Sequence, residues 1–228
     1  MMWMTVVYLF AALAITLQTS AQTIITFDAP GAGTGAGQGT FADSINPKGE
    51  IAGFSCDSAS VRHGYVRSAK GDFTTFDAPG AGTSPFQGTA PHVGRTINPA
   101  GAITGFYVDA SDVVHGFLRA PDGTITTFDA PGAGTVTDSG QGTTPSSINP
   151  AGAIVGSSLD ASNVYHGSLR DRDGNFTTFD APGAGNATDS YQGTLATANN
   201  PSGKITGSYV DSGNLQHGFL RTPKSQED

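Results

Sequence analysis

Short runs of Ile, Val, Phe, Tyr and Thr alternate along the chain with tight clusters of Asn, Asp, Pro and Gly. One stretch is typical. Thr143–Ile148, Ala153–Leu159, Val164–Arg170 and Asn175–Asp180 are four such runs. They are separated by Asn149-Pro150-Ala151-Gly152, Asp160-Ala161-Ser162-Asn163 and Asp171-Arg172-Asp173-Gly174. Runs of this length, rich in β-branched and aromatic residues and bounded by turn formers, predict strands, here called a, b, c and d. The turns carry Pro at a pre-set φ and Gly where φ must be positive. No segment has a helical period, and 32 Gly with 13 Pro would interrupt one.

The unit recurs. The phrase Thr-Phe-Asp-Ala-Pro-Gly-Ala-Gly stands at Thr26–Gly33, Thr75–Gly82, Thr127–Gly134 and Thr178–Gly185. Each copy is followed by Gln-Gly-Thr, then Asn-Pro (Asn46, Asn98, Asn149, Asn200), then His-Gly (His63, His115, His166, His217). Phe27, Phe76, Phe128 and Phe179 step by 49, 52 and 51 residues. Four short strands at this period predict an all-β repeat array, most simply a four-bladed β-propeller. The expected blades are about 40–78, 89–130, 142–181 and 194–221. The last unit lacks a d strand, and the chain opens on one at Thr23–Asp28. Residues 23–30 are therefore expected to complete the fourth blade and close the ring, removing a free edge. The alternative is an open β-solenoid.

Two segments carry a family resemblance. Ile97-Asn98-Pro99-Ala100-Gly101-Ala102-Ile103-Thr104-Gly105 and His115-Gly116-Phe117-Leu118-Arg119, with their counterparts in each unit, resemble the bacterial extracellular repeats named for a His-Ala-Phe motif. Here Gly follows each His, and Tyr65 or Ser168 replaces Phe in two units. The resemblance covers nearly the whole chain and implies secretion and repetition, with no mechanism attached.

Destination and charge narrow the partners. Met1–Leu17 is an almost unbroken apolar run closed by Gln18-Thr19-Ser20-Ala21. It reads as a signal peptide over 1–21, cleaved before Gln22, with a retained membrane anchor as the rival. Residues 22–228 then form one repeat domain with no membrane insertion after cleavage, secreted or periplasmic. The net charge of −8, without a basic run, argues against nucleic acid. The single Cys56 makes no internal disulfide and aligns with Val108, Leu159 and Val210, which marks it as a buried hydrophobe.

Consecutive antiparallel strands place the d–a loops and b–c turns on one face, together with 11 of the 19 acidic residues. Long loops on a rigid scaffold are where binding concentrates. The candidate ligand-binding residues there are Phe86, His92, Tyr191, Asp138 and Asp189. Asp28, Asp77, Asp129 and Asp180, from Phe-Asp-Ala-Pro, are candidate calcium ligands, against the simpler reading of Asx-turns into Pro-Gly. No other cofactor is implied. Each repeated His is expected to bond between blades rather than to hold a metal. No nucleophile or metalloprotease motif is present. The leading expectation is a non-enzymatic protein that binds or scaffolds an extracellular glycan or protein. The alternatives are a polysaccharide lyase or hydrolase using His92 and Arg95, and a purely structural matrix or envelope protein.

Overall fold

A computed structural model describes residues 22–91 and 94–223. Residues 1–21, expected to be a signal peptide, and His92 lie outside the described residues. Among the described residues there are fifteen strands and no helix. Repeat 1 holds β1 (Gly39–Ile45), β2 (Ile51–Cys56), β3 (Arg62–Arg67) and β4 (Phe73–Phe76). Repeat 2 holds β5 (Gly88–Ala90), β6 (Ile103–Val108), β7 (Val114–Arg119) and β8 (Ile125–Phe128). Repeat 3 holds β9 (Gly142–Ile148), β10 (Ile154–Leu159), β11 (Tyr165–Arg170) and β12 (Phe176–Phe179). Repeat 4 holds β13 (Gly193–Asn199), β14 (Ile205–Val210) and β15 (Gln216–Arg221).

Repeats 1 to 3 are antiparallel meanders in the order a-b-c-d, and repeat 4 is an a-b-c meander without a d strand among the described residues. Strand a slips register against strand b, between Ala42 and Ser44 in repeat 1 and at the same place in repeats 3 and 4. The bulge pushes a carbonyl of strand a toward strand b. A Cβ on Gly53 would lie 2.0 Å from Phe41 O, and one on Gly207 2.0 Å from Leu195 O. The glycine in the middle of strand b is therefore demanded by this close approach.

Successive repeats are joined by a few contacts that recur at each step. Strand c meets the next strand a in parallel at single positions, Arg62 with Gly88, Val114 with Gly142 and Tyr165 with Gly193. The Asn-Pro turns form a ladder: Asn46, Asn98 and Asn149 each donate through Nδ2 to the carbonyl of the next Asn, at 3.3, 3.4 and 3.2 Å. The core lies between repeats. Ala52 and Ala78 of repeat 1 share one cluster with Ile97, Ile103, Tyr107 and Phe117 of repeat 2. All four Asn-Pro turns line one cleft of about 320 Å³, so the array curves around this end.

The expected closure is not made. The sheet runs as an open path from β1 to β15. Residues 22–28 form no strand, and among the described residues β14 is the only strand paired with β15. The two ends stay open to solvent: Ile45 is 67% exposed where its counterparts Ile97 and Ile148 are 5% and 4% exposed.

Because Phe117 is fully buried at the repeat 1–repeat 2 boundary, Phe117→Ala is expected to cost about 3–5 kcal/mol. Urea unfolding of the variant beside the parent checks this.

Candidate functional site

The turns between strands b and c are built around one carboxylate. Asp57 Oδ1 accepts the N–H groups of Ala59 and Val61, at 2.9 and 2.8 Å. Asp109, Asp160 and Asp211 repeat the geometry. The other oxygen faces the repeated histidine: Asp109 Oδ2 lies 3.4 Å from His115 Nε2. The opposite ring nitrogen, Nδ1, lies 3.0 Å from Asp129 Oδ1 on the following d strand. His63 joins Asp57 to Asp77, and His166 joins Asp160 to Asp180, in the same way.

Two expectations are corrected here. The histidine does not bond between blades; it ties the b–c turn to the d strand of its own repeat. The aspartates of Phe-Asp-Ala-Pro do not form Asx-turns; Asp77, Asp129 and Asp180 are taken up by histidine. The reason is register. Gly64 faces Phe76 across the c–d pair, which places the preceding His beside the following Asp. Asp28, the fourth calcium candidate, is exposed and has no bonded partner among the described residues. Among those residues, no group of three His, Cys, Asp or Glu is placed to hold a metal ion.

Gln-Gly-Thr anchors each d–a loop, and each of its residues has a separate task. Gln87 Oε1 accepts from Ser84 N–H and Nε2 donates to Asp112 Oδ1, fastening the loop to the b–c turn of repeat 2. Gly88 has φ +100, and a Cβ there would lie 2.1 Å from Arg62 O. Thr89 Oγ1 accepts from Ala78 N–H at 2.8 Å.

The residue before this glutamine has positive φ in every repeat: Gly37 at 79°, Phe86 at 69°, Gly140 at 66° and Tyr191 at 54°. Two repeats use glycine and two hold an aromatic residue in a region unfavourable to bulky side chains. Phe86 is 69% and Tyr191 52% exposed. Each is fixed by its backbone to the preceding b–c turn, Phe86 N–H to Ser60 O and Tyr191 N–H to Asn163 O. Around Phe86, Arg62 Nη1 donates to the Phe86 carbonyl at 2.6 Å. Around Tyr191 stand Tyr165, with ring centroids 6.5 Å apart, and Asp189, whose carboxylate accepts from Asn163 Nδ2 at 2.8 Å. Tyr191 and Asp189 are thus brought together. Phe86 belongs to the loop between repeats 1 and 2, and Asp138 to the loop between repeats 2 and 3. Asp138 is exposed, with φ 58°. Arg95 is exposed and pairs through its backbone with Ser147, in the insert that interrupts strand a of repeat 2.

Sequence reading missed Asp43. It sits in the β1 bulge, where repeats 3 and 4 have Ser146 and Thr197. Its Oδ2 is buried without a partner. Burial pushes the carboxyl up to about 7. Burial, with the Asp43 charge added, raises the neighbouring Tyr65 phenol to about 12. The signal was a lone carboxylate at a position that is Arg95, Ser146 and Thr197 in the other repeats.

No family model matches the chain, and no curated protein matches it significantly.

The turn aspartates give stability at neutral pH. At Asp57 the Val61 N–H leads in holding the carboxyl below its ordinary value. At Asp109 burial works upward and is outweighed by the N–H groups of Val113 and Ser111. A depressed folded value stabilises above the unfolded value and is lost as pH falls through the folded one. The melting temperature is therefore expected to drop below about pH 4, read by circular dichroism. Asp43 has the opposite sign: its raised folded value costs stability progressively from about pH 4 to about pH 7. Asp43→Asn is expected to match the parent near pH 4 and to melt higher at pH 8. An equal melting temperature at pH 8 would remove Asp43 as the cause.

Proposed function

We propose that the chain is a secreted, non-enzymatic repeat protein that binds an extracellular glycan through its d–a loop face. The scaffold is an open, solenoid-like arc of propeller-type blades. A resemblance to the His-Ala-Phe repeats fits a secreted array of this kind.

One observation carries the reading. Phe86 and Tyr191 occupy left-handed backbone positions where the sister repeats use Gly37 and Gly140, and both rings face solvent. A bulky residue at such a position costs on the order of 1 kcal/mol relative to glycine. The glycine solution is available twice in the same chain, so the rings are kept against the stability of their own loops. Strain of this sort gathers at sites of binding. An exposed tyrosine flanked by a second tyrosine, an amide and a carboxylate offers an apolar platform with polar groups at its edge, the arrangement that sugar recognition uses. The repeated histidines and aspartates support a binding role over a catalytic one, because all three complete sets perform the same stapling task.

Tyr191→Gly and Phe86→Gly separate binding from folding. Each is expected to melt at the parent temperature or higher. The double variant is expected to lose retention on an immobilised polysaccharide panel by about tenfold or more, a loss of about 1.4 kcal/mol. Unchanged retention on every polysaccharide that holds the parent would end the proposal. Release of soluble products in the same assay would replace binding with catalysis.

A further inference from the structure

The two ends of the array are complementary halves of one interface. In repeats 1 to 3 the c strand carries a d strand on its outer edge. β15 has none, while Ile24-Ile25-Thr26-Phe27 has the sequence of a d strand (compare Ile125-Thr126-Thr127-Phe128) and pairs with no strand. Ile24 and Ile25 are exposed.

Three independent features match across the gap. His217 Nε2 lies 3.1 Å from Asp211 Oδ2, yet its Nδ1 lacks the carboxylate found 3.0 Å from Nδ1 in His63, His115 and His166. Asp28 is the one aspartate of the repeated phrase without a histidine. Gly64, Gly116 and Gly167 are each covered by a phenylalanine ring of the d strand, whereas a Cβ on Gly218 would meet nothing closer than Gly207 O at 4.0 Å. Phe27 is the phenylalanine without a glycine. Leu215 is exposed, while Val61, Val113 and Val164 at the same position are buried.

The other half of each contact is already in place on repeat 1. The Arg67 guanidinium lies 4.7 Å from the Phe27 ring centre, as Arg119, Arg170 and Arg221 lie over Phe76, Phe128 and Phe179. Ala29 N–H donates to Thr40 Oγ1, and Gly33 N–H to Cys56 O. The phrase is docked on repeat 1 and its strand projects from it, ready-made for a c strand that repeat 1 does not own.

We propose that Thr23–Asp28 of one copy adds to the free edge of β15 in a second copy, joining chains head to tail. Register follows from the internal pairs Gly116 with Phe128 and Leu118 with Thr126: Gly218 faces Phe27, and Leu220 faces Ile25. Asp28 then completes the fourth histidine staple, and the Asn200 amide continues the ladder to the carbonyl of Asn46. A second copy supplies the missing d strand without breaking any of the three internal interfaces. Within one chain the two ends stay unpaired: Thr23–Asp28 is docked on repeat 1 and the outer edge of β15 carries no strand among the described residues. Contacts of this heterologous kind form rings where the rotation closes and linear chains where it does not.

Ile25 and Leu220 are both exposed, so cysteines there disturb little. The test uses two purified single-site variants, Ile25→Cys and Leu220→Cys, each in a Cys56→Ser background, mixed and mildly oxidised. The expected result is an inter-chain disulfide between the two different variants, with far less product from either alone. Light scattering of the parent should show mass above one chain, falling on dilution. Asp28→Ala is expected to weaken association severalfold while leaving the monomer's melting temperature unchanged. A monomeric parent at all concentrations, or a double-cysteine chain that cross-links only within itself, would overturn head-to-tail pairing. Neither result bears on retention by polysaccharide, so this inference and the binding proposal fail separately.

Discussion

Each of the three complete repeats depends on a phenylalanine ring resting on a glycine. Gly64, Gly116 and Gly167 leave the c strand without a side chain at one position, and the ring of Phe76, Phe128 or Phe179 fills it. A methyl group on Gly116 would stand 2.3 Å from the Phe128 ring. The ring's remaining surface carries the arginine of the following repeat, 5.1 Å from the Phe76 centre in the case of Arg119. One aromatic residue therefore closes a four-stranded unit and also joins it to its neighbour. That double duty explains why Thr-Phe-Asp and His-Gly recur together. Strand pairing sets them side by side, the Phe on the Gly and the Asp on the His.

Acidic residues serve this architecture rather than accumulating idly on a surface. The b–c carboxylate closes its own turn with one oxygen and faces a histidine with the other. The Asn-Pro turn at the opposite end of strand b uses the same device in neutral form, with Asn98 Oδ1 accepting from Ala100 and Ala102 N–H. Its amide is left free to bond the next repeat. The choice of residue follows from the second task. A carboxylate suits a histidine partner, while an amide is needed where the partner is a backbone carbonyl.

Strands, turns and repeat length were legible in the sequence because they are local. Turn residues and period-two runs placed strand b of repeat 3 at Ala153–Leu159, and it spans Ile154–Leu159. Ring closure was not legible. It depends on how the first and last repeats lie relative to each other, a long-range property that packing between repeats, such as Phe76 on Phe117, contributes to and that no periodicity encodes. The histidine's partners were half legible. A constant separation of fourteen residues from His to Asp, as in His115 and Asp129, runs through the chain, yet its meaning appears only once the c–d register is known. Phe86 and Tyr191 stood out as aromatic residues on a polar loop. Their positive φ became visible on alignment with Gly37 and Gly140.

Near-identical repeats supply their own controls, and the differences among them separate structure from specialisation. A residue present in every unit is explained by what every unit must do. The glutamine of Gln-Gly-Thr is of this class, since its amide fastens each d–a loop to a b–c turn, as Gln141 does to Asn163. A residue that breaks the pattern and costs stability needs another reason. Asp43 has no counterpart carboxylate in the other repeats and does not meet a carboxylate's need for solvent, and its cost appears as a raised pKa. Phe86 and Tyr191 break the pattern at the backbone, on the exposed face, where a change is free to meet a partner. Asp28 and His217 break it by position alone. Each has the residue type of its sister sites and lacks only the neighbour that the next repeat would bring. Three kinds of departure thus point to three different places: inside the blade, on the loop face, and at the ends of the array.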